Sequence, residues 1–333
     1  MKYTQVRHPK YDVLCVGAAT WDTLLTGIDP DLFRTDSILA KAYTASSGGD
    51  ALNTAVSLAK LGTSVSLCAV LGEETAAELI IQDLHQAGVC TDDLIRSAHV
   101  HSASPVLLVD TEGERHIIRV PNSGNHTLTR EMISDDLLQK AMHMHVGSAN
   151  VLPALDGPGL GQLMKRAHEL GLTTSMDVSY DKSGKWLQNI EDALYHCDIF
   201  IPSLQEASRY CNSTDPEVIC TFFRRYPLKV FGIKLGSNGV MITDFRDTYT
   251  MGTLYKDIPV DTTGAGDAFM AGFIAAWLRE YDLPSCMAFG SAQSASVLRG
   301  TGANRTAGTL ADACRLLEEN RIKIRRKDEY ISE

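Results

Sequence analysis

The chain has 333 residues, a formal net charge of −10, and a composition that is 44% hydrophobic and 22% charged. That length suits one large α/β domain with an attachment, or two domains, and the composition is that of an ordinary soluble protein. The acidic balance argues against a nucleic-acid partner, which needs a basic stripe. The absence of a signal-type apolar segment, or of any run approaching ~18 apolar residues, predicts a cytoplasmic protein with no membrane partner.

Short apolar strands alternate with amphipathic helices along the chain. A strand is expected over Asp12 to Ala18. DALNTAVSLAKL, Asp50 to Leu61, repeats apolar residues at helical spacing and stops at Gly62. SVSLCAVLG follows as a strand, EETAAELIIQDLHQAG as a helix closed by Gly88, LGQLMKRAHELG as a helix closed by Gly171, and TTSMDV, IFIPS and KVFGIKLG as further strands. Such repeats predict a parallel sheet covered on both faces. Two segments break the rhythm. Asp22 to Ser46 is irregular or strand-like, and Ser104 to Val120 reads as a hairpin with a polar turn, so both are expected in a small β lid. The expected boundaries are 1–21, 47–100 and 124–316 for the α/β core, 22–46 and 101–123 for the lid, and 317–333 for a charged tail. The basic run RIKIRRK in that tail reads as a solvated helix end. The eight cysteines are scattered, with no CxxC pair, and read as reduced thiols.

The stretch DTTGAGDAF, Asp261 to Phe269, carries the chemistry. A helix N-terminus leaves N–H groups unpaired and carries about half a positive charge. Gly264, Ala265 and Gly266 clear side chains from those groups, so they form a cradle for a phosphate or oxyanion. Asp267 falls in the first turn, where the macrodipole should keep it ionised. There it can accept a proton from a hydroxyl that attacks phosphorus. The helix behind it is apolar on all faces, so it should be buried and hold the first turn rigidly. The alternative is a helix cap behind a glycine turn, but Asp261, Thr262 and Thr263 add more polar groups than a turn needs.

DTTGAGDAF resembles the C-terminal signature of the ribokinase (PfkB) family of carbohydrate kinases. SGGDALNTAVSLAKLG resembles that family's GGxxxN segment, VGAATWD its first strand, and IKLGSNG its nucleotide loop. The four fall in family order across about residues 12 to 310. The resemblance implies a three-layer, ribokinase-like parallel α/β core with a β lid, ATP and Mg²⁺ as cofactors, and homodimers paired through the lid. It implies Asp267 as general base and Gly264, Ala265 and Gly266 as anion hole. It implies Asp22, Gly48, Gly49 and Asn53 at the sugar, Lys234, Gly236, Ser237 and Gly239 along ATP, and the small residues of 290–303 near adenine. Asp261 and Thr263 match positions that bind a monovalent cation such as K⁺ in many relatives. The family's NxxE reads SLQE here, which keeps Glu206 near Mg²⁺ and leaves Ser203 as a departure.

The stretch DVSYD places Asp181 where some relatives carry an arginine, and a carboxylate ligand wants a cation. A neutral, hydroxyl-rich sugar is therefore expected. GGD, with Asp50, also occurs in relatives acting on an acid sugar and points the other way. Ser148, Asn150 and Arg115 are candidates to reach the substrate. His143 and His145 read as packing rather than metal ligands, and Trp186 and Trp277 as core. A nucleoside kinase is the runner-up, with Tyr43 and Phe33 as a shelf for the base; a sensor without catalysis is more remote. A nicotinamide dehydrogenase or a P-loop kinase would need GxGxxG or GxxxxGK[ST], and neither is present.

Overall fold

The computed structural model describes residues 9–112, 114–259, 261–320 and 323–326. Its first strand, β1 (Tyr11–Gly17), alternates Val13 and Cys15 against one apolar cluster with Leu14 and Val16 against another. A strand buried on both faces needs apolar residues at every position, which is why VLCV has no polar alternation. The chain then leaves the core for β2 (Thr20–Ile28) and β3 (Ala42–Gly48) before returning through the helix Asp50–Lys60. Next come β4 (Val65–Cys68), the short pair β5 (Val70–Leu71) and β6 (Ile95–Arg96), and the helix Thr75–Ala87, which Gly88 ends at a left-handed φ of 82°. β7 (Val106–Asp110) and β8 (Arg115–Ile118) form the expected hairpin.

The remaining strands are β9 (Ala141–Ala149), β10 (Thr173–Val178), β11 (Ile199–Phe200), β12 (Val230–Lys234), β13 (Val240–Thr243), β14 (Thr248–Met251) and β15 (Arg325–Arg326). The large sheet runs β15-β14-β13-β12-β11-β10-β9-β1-β4. Its strands from β4 to β12 are parallel, and β13 to β15 add an antiparallel edge. β2, β3, β7 and β8 form a separate four-stranded sheet in the order β3-β2-β7-β8. The strand order reverses between β1 and β9, the kind of crevice where open α/β sheets bind ligands.

Several expectations are adjusted by the structure. IFIPS contributes only Ile199–Phe200 to the sheet, because Pro202 offers no N–H to a ladder. SVSLCAVLG splits at Ala69, its second half pairing with β6 rather than the large sheet. The described part of RIKIRRK is not a solvated helix end, since Arg325 and Arg326 pair with Thr250 and Tyr249 at the sheet edge. Arg321, Ile322 and Lys327 lie outside the described residues, as does the side chain of Arg115. Trp186 and Trp277 pack at the margins of the two clusters.

Candidate active site

The helix Ala265–Trp277 is buried from Asp267 through Ala276. Its N-cap, Gly264, sits at φ +76°, and a Cβ there would stand 2.1 Å from the carbonyl oxygen of Ala303. Only glycine lets this turn lie against the 300–303 segment. Asp261 fastens the two loops together: Oδ1 accepts from Thr263 N and Oγ1 at 2.9 and 2.7 Å, and Oδ2 accepts from Gly302 N at 3.2 Å. Asp267 Oδ2 accepts from Asn53 Nδ2 at 2.8 Å, and Asn53 Oδ1 accepts from Asn304 Nδ2 at 2.8 Å. Asn304 also donates to Ser47 O at 3.2 Å. This relay fixes which way both amides face. Asn304 belongs to no motif in the sequence, and only the fold brings it here. Asn53, expected at the sugar, engages Asp267 and Asn304 through the two ends of its amide.

Four carboxylates, Asp50, Asp177, Glu206 and Asp267, line one cavity of about 480 Å³ with the Gly264–Ala265–Gly266 loop. Lys234 Nζ lies 2.8 and 3.1 Å from the two oxygens of Asp177, and 3.0 Å from where a Cβ on Gly266 would stand. Thus Lys234, expected along ATP, is held between the Gly264–Ala265–Gly266 loop and Asp177. Burial pushes the Asp267 carboxyl well above its ordinary value. The charges of Asp50 and Asp177 add to this, while the Asn53 hydrogen bond and Lys234 oppose it. Burial among like charges thus works against the macrodipole, which on the sequence alone is the dominant influence on Asp267. Asp50, held by Ser179 Oγ at 2.5 Å, and Glu206 are also raised, chiefly by burial. Burial alone would lower the Lys234 pKa, but Asp177 and Glu206 outweigh it and hold the ammonium raised.

Glu206 and Ser203 form a capping box on the helix Leu204–Cys211, with Ser203 N and Oγ donating to Glu206 Oε2 at 2.8 and 2.7 Å. The SLQE departure therefore has a structural use, and Glu206 still faces the cavity. An all-oxygen set with an excess of negative charge fits a hard divalent cation. Further along the same cavity, Gly236, Gly239, Ser291, Ser294, Ala295 and Leu298 form the wall, and Ser237 does not. GSNG is both the turn joining antiparallel β12 and β13 and part of this wall.

A second cavity, of about 630 Å³, adjoins the first; Arg119, Ser179 and Tyr180 line both. Thr20, Asn125 and Asn150 line it as well. Ser148 and Asn150 hold φ of 70° and 80°, unusual strain for non-glycine residues at the mouth of β9. Asn150 Nδ2 donates to Tyr210 Oη at 2.7 Å, its main-chain N donates to Asp156 at 3.1 Å, and its Oδ1 is buried with no partner among the described residues. Asp181 lines this cavity, but its carboxylate is used by its own loop. Oδ1 accepts from Ser183 N and Oγ at 2.7 and 2.6 Å, and Oδ2 accepts from Trp186 N at 2.6 Å.

Asp22 lines neither large cavity. It faces a third, of about 200 Å³, together with Asp261 and Thr263. Its Oδ1 accepts from Thr20 Oγ1 at 2.6 Å, and a Cβ on Gly48 would stand 2.4 Å from its Oδ2. Gly48 on β3 thus lets that strand lie close against the Asp22 carboxylate of β2, and neither Gly48 nor Gly49 lines the two large cavities. Phe33 and Tyr43 are 88% and 67% exposed and line none of these cavities, so they form no shelf in this structure. His143 and His145 are buried and share Ser175 Oγ at 2.7 and 2.8 Å.

A largely parallel α/β sheet with a separate four-stranded sheet is the ribokinase-like fold. The chain matches the pfkB family carbohydrate kinase model over residues 10–309, and it belongs to that family. It is 30% identical over 303 residues to an ATP-dependent ribose-1-phosphate kinase from Halopiger xanaduensis, covering 90% of this chain and 96% of that one. Its fold is similar to Arabidopsis thaliana ribokinase complexed with ribose and ATP (TM-score 0.79, 21% identity, 92% of this chain and 99% of that one). It is also similar to a Xylella fastidiosa fructokinase with bound ATP (TM-score 0.79, 20% identity, 94% and 99%). Among the described residues no helix is long and apolar enough to cross a membrane.

Proposed function

We propose that this sugar kinase transfers the γ-phosphate of ATP to a hydroxyl of a small sugar bound in the second cavity, with Asp267 as base. The observation that carries the reading is a buried carboxylate, held at one oxygen by Asn53, standing at the bare Gly264–Ala265–Gly266 terminus in the first cavity, which shares Arg119, Ser179 and Tyr180 with the second. The sugar hydroxyl oxygen forms a bond to the γ-phosphorus as the bond from phosphorus to the β,γ-bridging oxygen breaks. ADP leaves, and the hydroxyl proton goes to Asp267 Oδ1. The backbone N–H groups of the loop stabilise charge on the transferred group. A carboxyl pKa raised by burial makes the ionised Asp267 a stronger base than an ordinary carboxylate.

Magnesium with ATP would neutralise phosphate charge, held mainly by the phosphates and water, with Glu206 and Asp177 as the nearest carboxylates. Asp261 and Thr263 are assigned to a monovalent cation, and Asp22, which shares the third cavity with them rather than lining the second, to the sugar once the lid closes. The lid is assigned to pairing with a second copy; the exposed Phe33, Leu39 and Tyr43 support this. A nucleoside acceptor is disfavoured because Phe33 and Tyr43 lie away from the acceptor cavity. The sequence argument for a neutral sugar rested on Asp181, and a carboxylate committed to its own loop carries no such argument.

The test is ADP release with ATP and Mg²⁺, with and without K⁺, across ketoses, aldoses, acid sugars, sugar phosphates and nucleosides. Release with one sugar class supports the reading. Release only with nucleosides, or none while ATP binds, rejects it.

A further inference from the structure

The acceptor cavity has two chemically different regions. One holds Asn150, whose buried Oδ1 lacks a donor among the described residues. An unpaired buried carbonyl oxygen is costly, and a small turn of the side chain toward the cavity would let a sugar hydroxyl satisfy it. The other carries Arg119, Lys182 and His126. Arg119 follows β8 in the lid, and Lys182 sits on the loop after β10 in the core. Both are exposed, and among the described residues neither has an ion-pair partner. The cavity's acidic residue, Asp181, is occupied by Ser183 and Trp186. A cavity with two unpaired cations and no free carboxylate is unexpected in a chain of net charge −10.

A neutral sugar leaves both cations without a partner, and a single carboxylate neutralises only one. A phosphate monoester matches both, and its tetrahedral oxygens can accept from an arginine fork, an ammonium and an imidazole together. We propose that the acceptor is a sugar already carrying a phosphate group, its hydroxyls toward Asn150 and its phosphate among Arg119, Lys182 and His126. This rests on the sugar-kinase reading above and replaces the neutral acceptor that the sequence predicts. Because Arg119 comes from the lid and Lys182 from the core, the same phosphate would draw the lid down and exclude water from the transfer cavity.

Two measurements on the full chain test it separately from the kinase reading. The first is calorimetric titration, without ATP, of ribose 1-phosphate, ribose 5-phosphate and fructose 6-phosphate against ribose, fructose and gluconate. The second is ADP release with the same compounds. We expect at least one sugar phosphate to bind about 100-fold tighter than its parent sugar. That preference should fall about tenfold in Arg119→Gln and in Lys182→Gln. Equal binding of parent sugar and phosphate, a preference for gluconate, no binding of any sugar phosphate, or full preference in both variants overturns the proposal. Tight sugar-phosphate binding without ADP release upholds it and rejects the transfer reading. ADP release with unphosphorylated sugar alone does the reverse.

Discussion

At the end of the cleft assigned to transfer, the central polar side chains hold one another. Asn304 holds Asn53, Asn53 holds Asp267, and Asp177 holds Lys234, each across 2.8 Å. At the acceptor end Arg119 and Lys182 are exposed and Asn150 Oδ1 is unpaired among the described residues. The first arrangement is set before any ligand arrives, as a step that needs reacting atoms aligned requires. The second is completed by the ligand, so its groups can be choosy about what completes them. Chemistry and selectivity are thus assigned to opposite ends, and substitutions at the two ends should fail in different ways.

The largest expected effect is at the transfer end. Asp267→Asn should lower turnover by about 100-fold or more with little change in ATP affinity. Asparagine keeps the shape and the contact with Asn53 while removing the basic oxygen. Single-turnover kinetics beside equilibrium ATP titration would check it, and unchanged turnover would remove Asp267 from the base role. Gly264→Ala should act through structure instead. With φ at +76° and the Ala303 carbonyl 2.1 Å from the new Cβ, the loop must move. We expect a loss of about 1–3 kcal/mol in stability, from denaturant titration, along with most of the activity. Full activity at wild-type stability would mean that the loop is not held as described.

Much of the transfer end was legible in the sequence because its groups are neighbours. GAGD and GGDALN each place a loop, a helix start and a polar side chain within a few residues, where helix-terminus physics applies directly. The burial of the helix Ala265–Trp277 followed from its lack of a polar face. The raised carboxyl of Asp267 was not legible, since no local pattern shows that Asp50 and Asp177 converge on it. Asn304 was invisible for the same reason. The acceptor end was hardly legible at all. Thr20, Arg119, Asn125, Asn150 and Lys182 come from five separate segments, and no spacing rule joins them. Asp181 misled because its position in a motif was visible while its hydrogen bonds to Ser183 and Trp186 were not.

An intermediate effect is expected at Lys234, where the transfer end can be disturbed without touching the base. The Asp267 carboxyl is raised by burial, Asp50 and Asp177, and Lys234 opposes that rise. Lys234→Met removes the opposing charge, so the carboxyl pKa should rise further. The acid limb of the kcat/KM profile should then move to higher pH, with activity recovering as pH is raised. The substitution also leaves Asp177 without its cation, at a cost of about 3–5 kcal/mol if the chain does not relax. Thermal unfolding must therefore accompany the pH profile. A folded variant whose acid limb stays put or moves down would show that Lys234 does not tune the base.

The smallest effect should come from Asp181→Asn, and it bears most directly on how the two ends differ. If the carboxylate only fastens the 181–186 turn, an amide oxygen can still accept from Ser183 or Trp186, and one charge-assisted bond is weakened. A stability loss of about 1 kcal/mol is expected, with the ranking of phosphorylated, acidic and neutral acceptors unchanged. If Asp181 instead faced the substrate, removing its charge would favour anionic acceptors, and the kcat/KM ratio of phosphorylated to parent sugar would rise. Measuring that ratio in the variant separates an acid that builds the wall from one that reads the ligand. A rise would return Asp181 to the substrate and weaken the case for Arg119 and Lys182 as the charges that choose it.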